Sequence, residues 1–400
     1  MPLRGFKYRF YPTAEQEVLL RRTIGCCRLV YNRALHERSE AWTGGKKSIG
    51  YAAQSAALTG WKKEPELAFL NEVSSVPVQQ TLRHLQTAYA NFFAKQAKYP
   101  SFKKKRSGGS AEFTRSGFRF SDGKLTLAKM DAPLDIRWSR PLPANVEPSS
   151  ASVSLDAAQR WHVSLLCEDK TVKHPPKLKT AVGIDLGINA LATLSTGEKI
   201  PNLKHDASEL KRKRRLSRSL ARKQKGSRNR NKARIKLARL HAKVADRRLD
   251  QMQKLSTRLV RENQVIVVED LNVAGMVRNH CLARVISDAA WRMFLTFLAY
   301  KCDWYGREFV KVDRFYPSSK TCSVCGHVVE HMPLDVRNWA CPRCKAEHDR
   351  DENAARNIKT AGLAVVSACG SGVSHRVLRN SVLSELKQEP VSREPGIRLL

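Results

Sequence analysis

The sequence predicts a multidomain α/β protein with an added β-barrel and a helical module. Three observations predict it. The chain has 400 residues, enough for two to three domains at roughly 150 residues each. Short alternating segments between residues 118 and 165, separated by turn residues, are the pattern of a small barrel or sandwich. Two apolar runs, residues 181–187 and 265–270, read as buried strands that end in carboxylates.

Composition narrows the function. Lys and Arg number 72 against 37 Asp and Glu, a formal net charge of +35, while 42% of residues are hydrophobic. That supports real cores and excludes a disordered basic tail. Such a charge repels itself, so a polyanion is the expected partner. A secreted disulfide scaffold and a small-molecule enzyme with an ordinary surface fit poorly. Residues 1–11 carry Arg4, Lys7 and Arg9 without an apolar stretch, unlike a signal peptide. No run approaches the roughly 20 apolar residues of a membrane span. Four of the ten cysteines have metal spacing. Cys26, Cys27, Cys167, Cys281, Cys302 and Cys369 lie in apolar surroundings, as in a reducing compartment. The expected location is the cytoplasm of a prokaryote, with the nucleoid DNA.

Along the chain, Phe6, Tyr8 and Phe10 alternate with Lys7 and Arg9, the period of a strand, and Pro12 stops it. Thr13 and Gln16 have capping-box spacing. Leu20, Ile24, Cys27, Tyr31 and Ala34 then follow at helical intervals. A second helix is expected over residues 77–93, with Val78, Leu82, Leu85, Tyr89 and Phe92 as its apolar stripe. Lys103 to Arg106, followed by Ser107-Gly108-Gly109-Ser110, reads as a basic, flexible link. Strands are expected near 118–120, 124–127, 135–138, 152–155 and 161–165, and the amino-terminal strand could complete their sheet. Trp138 and Trp161 are expected in its core. His174-Pro175-Pro176 closes the region.

From Thr180 the pattern becomes α/β. Strands at 181–187, 190–194 and near 198–200 predict a meander whose first strand carries Asp185. Residues 204–248 hold 19 Lys and Arg against three acids, a net of +16. A solvated helix normally interleaves acids. With Leu237, Leu240, Val244, Met252, Leu255 and Leu259 as its apolar stripe, the stretch reads as a long basic helical hairpin. A strand ending in Glu269-Asp270, an amphipathic helix over 291–305 with Phe294, Leu295, Leu298 and Cys302 on one face, a strand at 309–312 and a helix over 353–366 follow. The tail beyond Gly370 is polar and expected to be disordered.

Two constellations carry chemistry. Cys322-x-x-Cys325, fifteen residues, then Cys341-x-x-Cys344 is the spacing of two knuckles closing on one tetrahedral zinc ion. Four thiolates leave no open coordination position, so this zinc is structural. His331 and His348 are not expected as ligands. The second constellation is Asp185, Glu269 and Asp351. Clustered carboxylate oxygens suit two magnesium ions and phosphodiester hydrolysis. A helix N-cap would equally explain Asp351 and a surface position Glu269, and spacing alone leaves these readings open.

Taken together, Gly183-Ile184-Asp185-Leu186-Gly187, Val267-Val268-Glu269-Asp270-Leu271, the four cysteines and His348-Asp349-Arg350-Asp351-Glu352-Asn353-Ala354-Ala355-Arg356-Asn357-Ile358 resemble the TnpB family of transposon-encoded, RNA-guided nucleases, relatives of type V CRISPR effectors. Arg9-Phe10-Tyr11-Pro12-Thr13, Tyr31-Asn32 and residues 316–321 fit as well. The resemblance covers about residues 4–366. It implies a wedge barrel from residues 1–12 and 110–177 and a helical recognition module at 13–109. It further implies a RuvC-like nuclease of the RNase H fold at 178–315 with its basic hairpin at 204–260, a zinc ribbon at 316–348 that binds target nucleic acid, a final nuclease helix at 349–370 and a tail at 371–400. Asp185, Glu269 and Asp351 match the family's catalytic, magnesium-holding positions.

The resemblance also implies partners: a guide RNA and a double-stranded DNA target, with one protein chain on each RNA and no membrane. Tyr51, Gln79, Gln80 and Thr114 stand where family members contact a short motif beside the target. Gln can pair with adenine edges and Thr can touch a thymine methyl. Lys103, Lys104, Lys105, Arg106, Lys211, Arg212, Lys213, Arg214 and Arg215 are expected on RNA or DNA phosphates. Two other functions share these features: an RNA-guided binder acting as a repressor, which would be expected to lose acids of the site, and a transposase or structure-specific nuclease working without RNA.

Overall fold

Phe6, Tyr8 and Phe10 form the buried face of β1 (Leu3–Tyr11) in the computed structural model, which describes residues 3–105, 108–143, 146–169, 174–333 and 335–369. Arg106 and the tail beyond Gly370 lie outside the described residues. The chain divides into two units, Met1–Thr171 with Gln224–Arg239 and Val172–Lys223 with Leu240–Leu400. Among the described residues, no helix is long and apolar enough to cross a membrane.

In the first unit the capping box forms. The Gln16 amide donates to Thr13 Oγ1 at 3.3 Å, and the Thr13 amide donates to Gln16 Oε1 at 3.1 Å. Helix α1 (Ala14–Gly45) then buries Leu20, Ile24, Cys27, Tyr31 and Ala34. The expected module contains a further helix, α2 (Tyr51–Trp61), and a 3-10 segment at Pro65–Asn71. α2 hides from an apolar pattern because Gln54 holds an inner position. Its amide donates to Ala34 O at 2.7 Å and its oxygen accepts from Arg38 at 2.7 Å. Helix α3 (Ser75–Phe93) buries Val78, Leu82, Leu85 and Tyr89, with Phe92 half-buried.

Both described flanks of the expected link are structured. Asn32 clamps Lys103 through its amide at 2.8 Å and its carbonyl at 3.0 Å, and the Lys103 ammonium lies 4.1 Å from the Tyr31 ring centre. β2 (Gly109–Thr114) already starts at Gly109. It is followed by β3 (Phe118–Ser121), β4 (Lys124–Leu127), β5 (Asp135–Arg137), β6 (Pro148–Leu155) and β7 (Trp161–Glu168). The main sheet runs β2-β6-β7-β1-β5, and β3-β4 is a separate hairpin. β1 pairs antiparallel with β7, Phe6 opposite Leu165, so the helices are inserted between strands of one sheet. Trp161 is in the core. Trp138 is not fully so: it is 37% exposed and meets Tyr8 edge-on at 4.8 Å.

The second unit holds a sheet of order β10-β9-β8-β11-β12. Its strands are β8 (Ala181–Asp185), β9 (Ala190–Leu194), β10 (Lys199–Pro201), β11 (Val265–Glu269) and β12 (Glu308–Val312). The first three form the antiparallel meander, whereas β8, β11 and β12 are parallel. Between β10 and β11 come α4 (His205–Ser208), α5 (Leu210–Ala221) and α6 (Arg228–Glu262). α7 (Val273–Met276), α8 (Ala283–Ala289) and α9 (Trp291–Tyr305) lead to β12. On α9 the buried side chains are Trp291, Phe294, Phe297, Leu298, Lys301 and Cys302; Leu295 is only half-buried.

The basic hairpin is anchored by its few acids. Glu209 lies 3.7 Å from Lys243 and 3.4 Å from Arg247 on α6. Buried Asp288 accepts from the Asp206 amide at 2.9 Å and from Arg248 at 2.9 Å. The buried Lys301 ammonium ties α9 to α6 through Ser256 Oγ at 2.7 Å and Thr257 Oγ1 at 2.8 Å. Two small ribbon strands, β13 (Asn338–Ala340) and β14 (Glu347–Asp349), precede the last helix, α10 (Arg350–Cys369). That helix lies directly on the sheet. A Cβ on Gly183 of β8 would sit 2.1 Å from Ala355 O, and one on Gly362 would sit 2.2 Å from Val267 Cγ1 of β11.

Candidate active site and metal centre

β8 and β11 pair with Ile184 beside Val268, so Asp185 and Glu269 follow at the same level on neighbouring strands, about 4.8 Å apart along the sheet. The close seating of α10 brings its first turn, with Asp351, to the same ends. All three acids line one cleft of about 600 Å³ with Tyr316, Lys320, Arg337 and Arg350.

Their immediate neighbours take the cap and the ion pairs that spacing left open. Asp349, not Asp351, caps α10: its Oδ1 accepts from the Glu352 amide at 3.0 Å, and Lys199 bonds its other oxygen at 2.6 Å. Asp270, not Glu269, takes the surface ion pairs, with Lys311 at 3.3 Å and Arg314 at 2.8 Å. Asp351 and Glu269 are left to face the cleft. Burial, then the Asp351 and Glu269 charges, push Asp185 up to about 7, with Arg350 and Arg337 pulling the other way. Burial also raises Glu269. Arg337 approaches Asp351 to 3.4 Å. Among the described residues the three carboxylates do not close to metal-ligand distance of one another. Like charges repel until a cation draws them together.

The four cysteines do converge. Their sulfurs all lie within 4.8 Å of one another, with Cys322–Cys344 and Cys325–Cys341 each at 3.6 Å. Tetrahedral Zn–S bonds of about 2.3 Å require S–S edges of about 3.8 Å, so the donor set fits zinc. Without an ion the cluster splits its protons: the Cys344 amide holds the Cys341 thiol down to about 6, while the neighbouring sulfurs push the Cys344 thiol up; ligation requires all four as thiolates. His348 is not in the set. It lies with Nε2 3.1 Å from Cys322 Sγ, where a protonated Nε2 donates to the sulfur. Elsewhere burial pushes Cys27 and Cys167 up to about 11 and Cys302 up to about 12. Those thiols are inert. Cys281 departs from expectation in being exposed.

The ribbon is stitched to the acidic site. Asn353, buried on α10, donates to Thr321 O at 2.7 Å and accepts from the Ser323 amide at 2.9 Å; Asn357 donates to Ser318 O at 2.8 Å. Sequence reasoning quoted these asparagines only as part of a motif. Arg350 belongs to the same motif; Arg337 and Phe315 of the cleft are marked by no spacing signal.

The other expected contact residues are spread over two surfaces. In the first unit, Tyr51 begins α2, Gln79 and Gln80 lie on α3, and Thr114 ends β2. They gather around the first half of α3. Arg83, one turn beyond Gln79, donates to the Tyr51 hydroxyl at 3.2 Å, and a Cβ on Gly117 would touch Val76 at 3.1 Å. Gln79 is exposed; Tyr51, Gln80 and Thr114 are half-buried. Lys103, Lys104 and Lys105 are all exposed; Asn32 holds the Lys103 backbone, and the Lys103 ammonium lies over the Tyr31 ring. On α5, Lys211, Arg214 and Arg215 are exposed. Lys213 is half-buried and paired with Asp206 at 3.1 Å. Arg212 lies 3.9 Å from Glu209.

Comparison with known proteins bears on the whole chain. The OrfB family of IS605 elements, described as a probable transposase, matches residues 162–280. A Cas12f1-like TNB domain matches 291–358. A helix-turn-helix pattern matches 1–47, although those residues here form β1 and the single helix α1. A Streptomyces pristinaespiralis protein named "Putative RNA-guided DNA endonuclease" is 58% identical over 98% of both chains. The Escherichia coli protein InsQ, of the same description, is 33% identical over 97% of both. Among solved structures, Cas12f1 in its complex with sgRNA and target DNA superposes with a TM-score of 0.58 at 13% identity, covering 90% of this chain and 98% of that one. The mini RNA-guided endonuclease CRISPR-Cas_phi3 gives 0.51 at 9% identity, covering 90% and 92%. The chain shares the fold of these effectors, and it belongs to the TnpB family, the OrfB proteins of IS605-type elements.

Proposed function

We propose that this protein is an RNA-guided DNA endonuclease whose acidic cleft hydrolyses phosphodiesters. The observation that carries the proposal is the pairing of roles among adjacent acids. Asp270 and Asp349 make the structural bonds, while Asp185, Glu269 and Asp351, from three separate elements, face one cleft, with Asp185 raised by burial and by the other two charges and Arg337 near Asp351. Half-buried acids set together at raised pKa in a cleft support a functional role. A sheet of order β10-β9-β8-β11-β12, with an antiparallel meander and then parallel strands, supports a RuvC-like domain of the RNase H fold.

Asp185, Glu269 and Asp351 would hold two magnesium ions, which supply Lewis acidity toward the attacking water and the leaving oxygen when bound. The chain's own part is to aim three hard oxygen donors at one place and to set Lys320, Arg337 and Arg350 beside the phosphates. Cys322, Cys325, Cys341 and Cys344 would hold one structural zinc ion. The sheet β2-β6-β7-β1-β5 with the β3-β4 hairpin would be the wedge barrel, α1–α3 the recognition module and residues 316–348 the target-nucleic-acid-binding ribbon. The basic hairpin would grip a guide RNA through counterion release. Tyr51, Gln79, Gln80 and Thr114 would read a short motif beside the DNA target. Base pairing would read the rest, with the protein working in the cytoplasm as one chain per RNA. The relatives' description as RNA-guided DNA endonucleases supports this reading.

Purification with sequencing of bound nucleic acid tests it. A discrete RNA from the protein's own locus should copurify, and ribonuclease treatment during expression should remove cleavage. Equal cutting without any RNA would favour a nuclease that acts on DNA directly.

A further inference from the structure

Phe315 is 85% exposed, more than any other large apolar side chain among the described residues, and it lines the same cleft as Asp185, Glu269 and Asp351. Its backbone is held on both sides. The Phe315 amide donates to Asp313 Oδ1 at 2.8 Å, the Tyr316 amide donates to Asp313 O at 3.1 Å, and Arg314 is pinned to Asp270 at 2.8 Å. The ring is therefore presented by a fixed turn at the end of β12. Nothing in the hydrolytic chemistry uses it.

We infer that Phe315 is a base-stacking platform that holds the nucleotide next to the scissile phosphate in an unpaired strand. This rests on the reading of the acidic cleft given above. A cleft of about 600 Å³ has the volume of a small-ligand site, room for a short stretch of one strand rather than a duplex. Lys320, Arg337 and Arg350 line it with positive charge. An aromatic face beside cationic groups is the pairing that binds single strands without sequence preference, because every base has a π-face. A base inside a duplex is already stacked on both sides, so the ring selects for a strand that has been unpaired. On the reading of the cleft given above, the strand is DNA.

The test uses the intact ribonucleoprotein. In the Asp185→Asn protein, 2-aminopurine is walked along the single strand, and quenching is expected at one or two adjacent positions. Asp185→Asn/Phe315→Ala should lose that quenching, and Asp185→Asn/Phe315→Trp should keep it. With Asp185 intact, Phe315→Ala should raise KM for a single-stranded DNA by about 5- to 100-fold, with a smaller change in kcat and unchanged guide-RNA binding. An RNA strand of the same sequence reports which nucleic acid the cleft accepts. Identical quenching and unchanged KM in the Phe315→Ala proteins would overturn the inference. Cleavage by Asp185→Asn at the wild-type rate would instead overturn the placement of the nuclease site itself.

Discussion

Asp185→Asn is expected to lower DNA cleavage by at least about a thousand-fold, roughly 4 kcal/mol of barrier, while RNA and DNA affinities stay within about two-fold. The basis is position. Asp185 is the most buried charge of the cleft, flanked by Glu269 and Asp351, and neutralising it removes one of the donors that would hold the magnesium ions. The proposed contact residues, the α5 lysines and arginines and the α3 glutamines, lie on elements other than β8. Cleavage kinetics and filter binding on the same preparation check both halves.

The same substitution has a stability signature. The folded Asp185 pKa of about 7 lies above its ordinary value of 3.8. The folded state therefore prefers the protonated acid. That stability is fully present below pH 3.8 and is lost as pH rises through 7. In buffer without divalent cations, Asp185→Asn should melt a few degrees above wild type at pH 8, and the gap should close toward pH 4. Thermal melts of the two proteins at both pH values measure it; a gap that widens toward pH 4 would contradict the assigned burial.

Cys322→Ser or Cys341→Ser is the second large effect. Each should remove about one equivalent of zinc, because three thiolates no longer close the tetrahedron. Solubility should fall with it. Cleavage should fall too, since Asn353 and Asn357 tie the first knuckle to the helix that carries Asp351. Cys281→Ser, at an exposed position outside the cluster, should retain the metal. Metal analysis on the purified proteins decides this; unchanged zinc in Cys341→Ser would refute the four-thiolate site.

Much of this molecule could be read from its sequence, and the parts that could not share a physical cause. β1, α1 and α3 announce themselves because apolar periodicity, a capping box and a proline near a helix start are local signals. The meander and β11 were legible for the same reason. α2 was not, since its inner position is filled by Gln54, whose bonds to Ala34 and Arg38 are made across the fold. The four cysteines are separated by fixed short spacings, so their convergence was predictable. The acids were identified by family resemblance, yet only tertiary contacts reveal why Asp351 and Glu269 differ from Asp349 and Asp270 one or two positions away. Lys103 and Lys213 show the reverse: a basic run predicts a charged surface, but only the fold shows which ammonium meets a ring, as Lys103 meets Tyr31, and which meets an acid, as Lys213 meets Asp206.

The most direct test of the account is guided cutting by the purified complex. The protein is loaded with its RNA, the guide segment is replaced by an unrelated sequence, and a plasmid carrying the matching target is incubated with magnesium. The account predicts that the cut moves to the new target and that Asp185→Asn leaves the plasmid intact. A cut that stays at the original site, or one that proceeds equally without RNA, would contradict it.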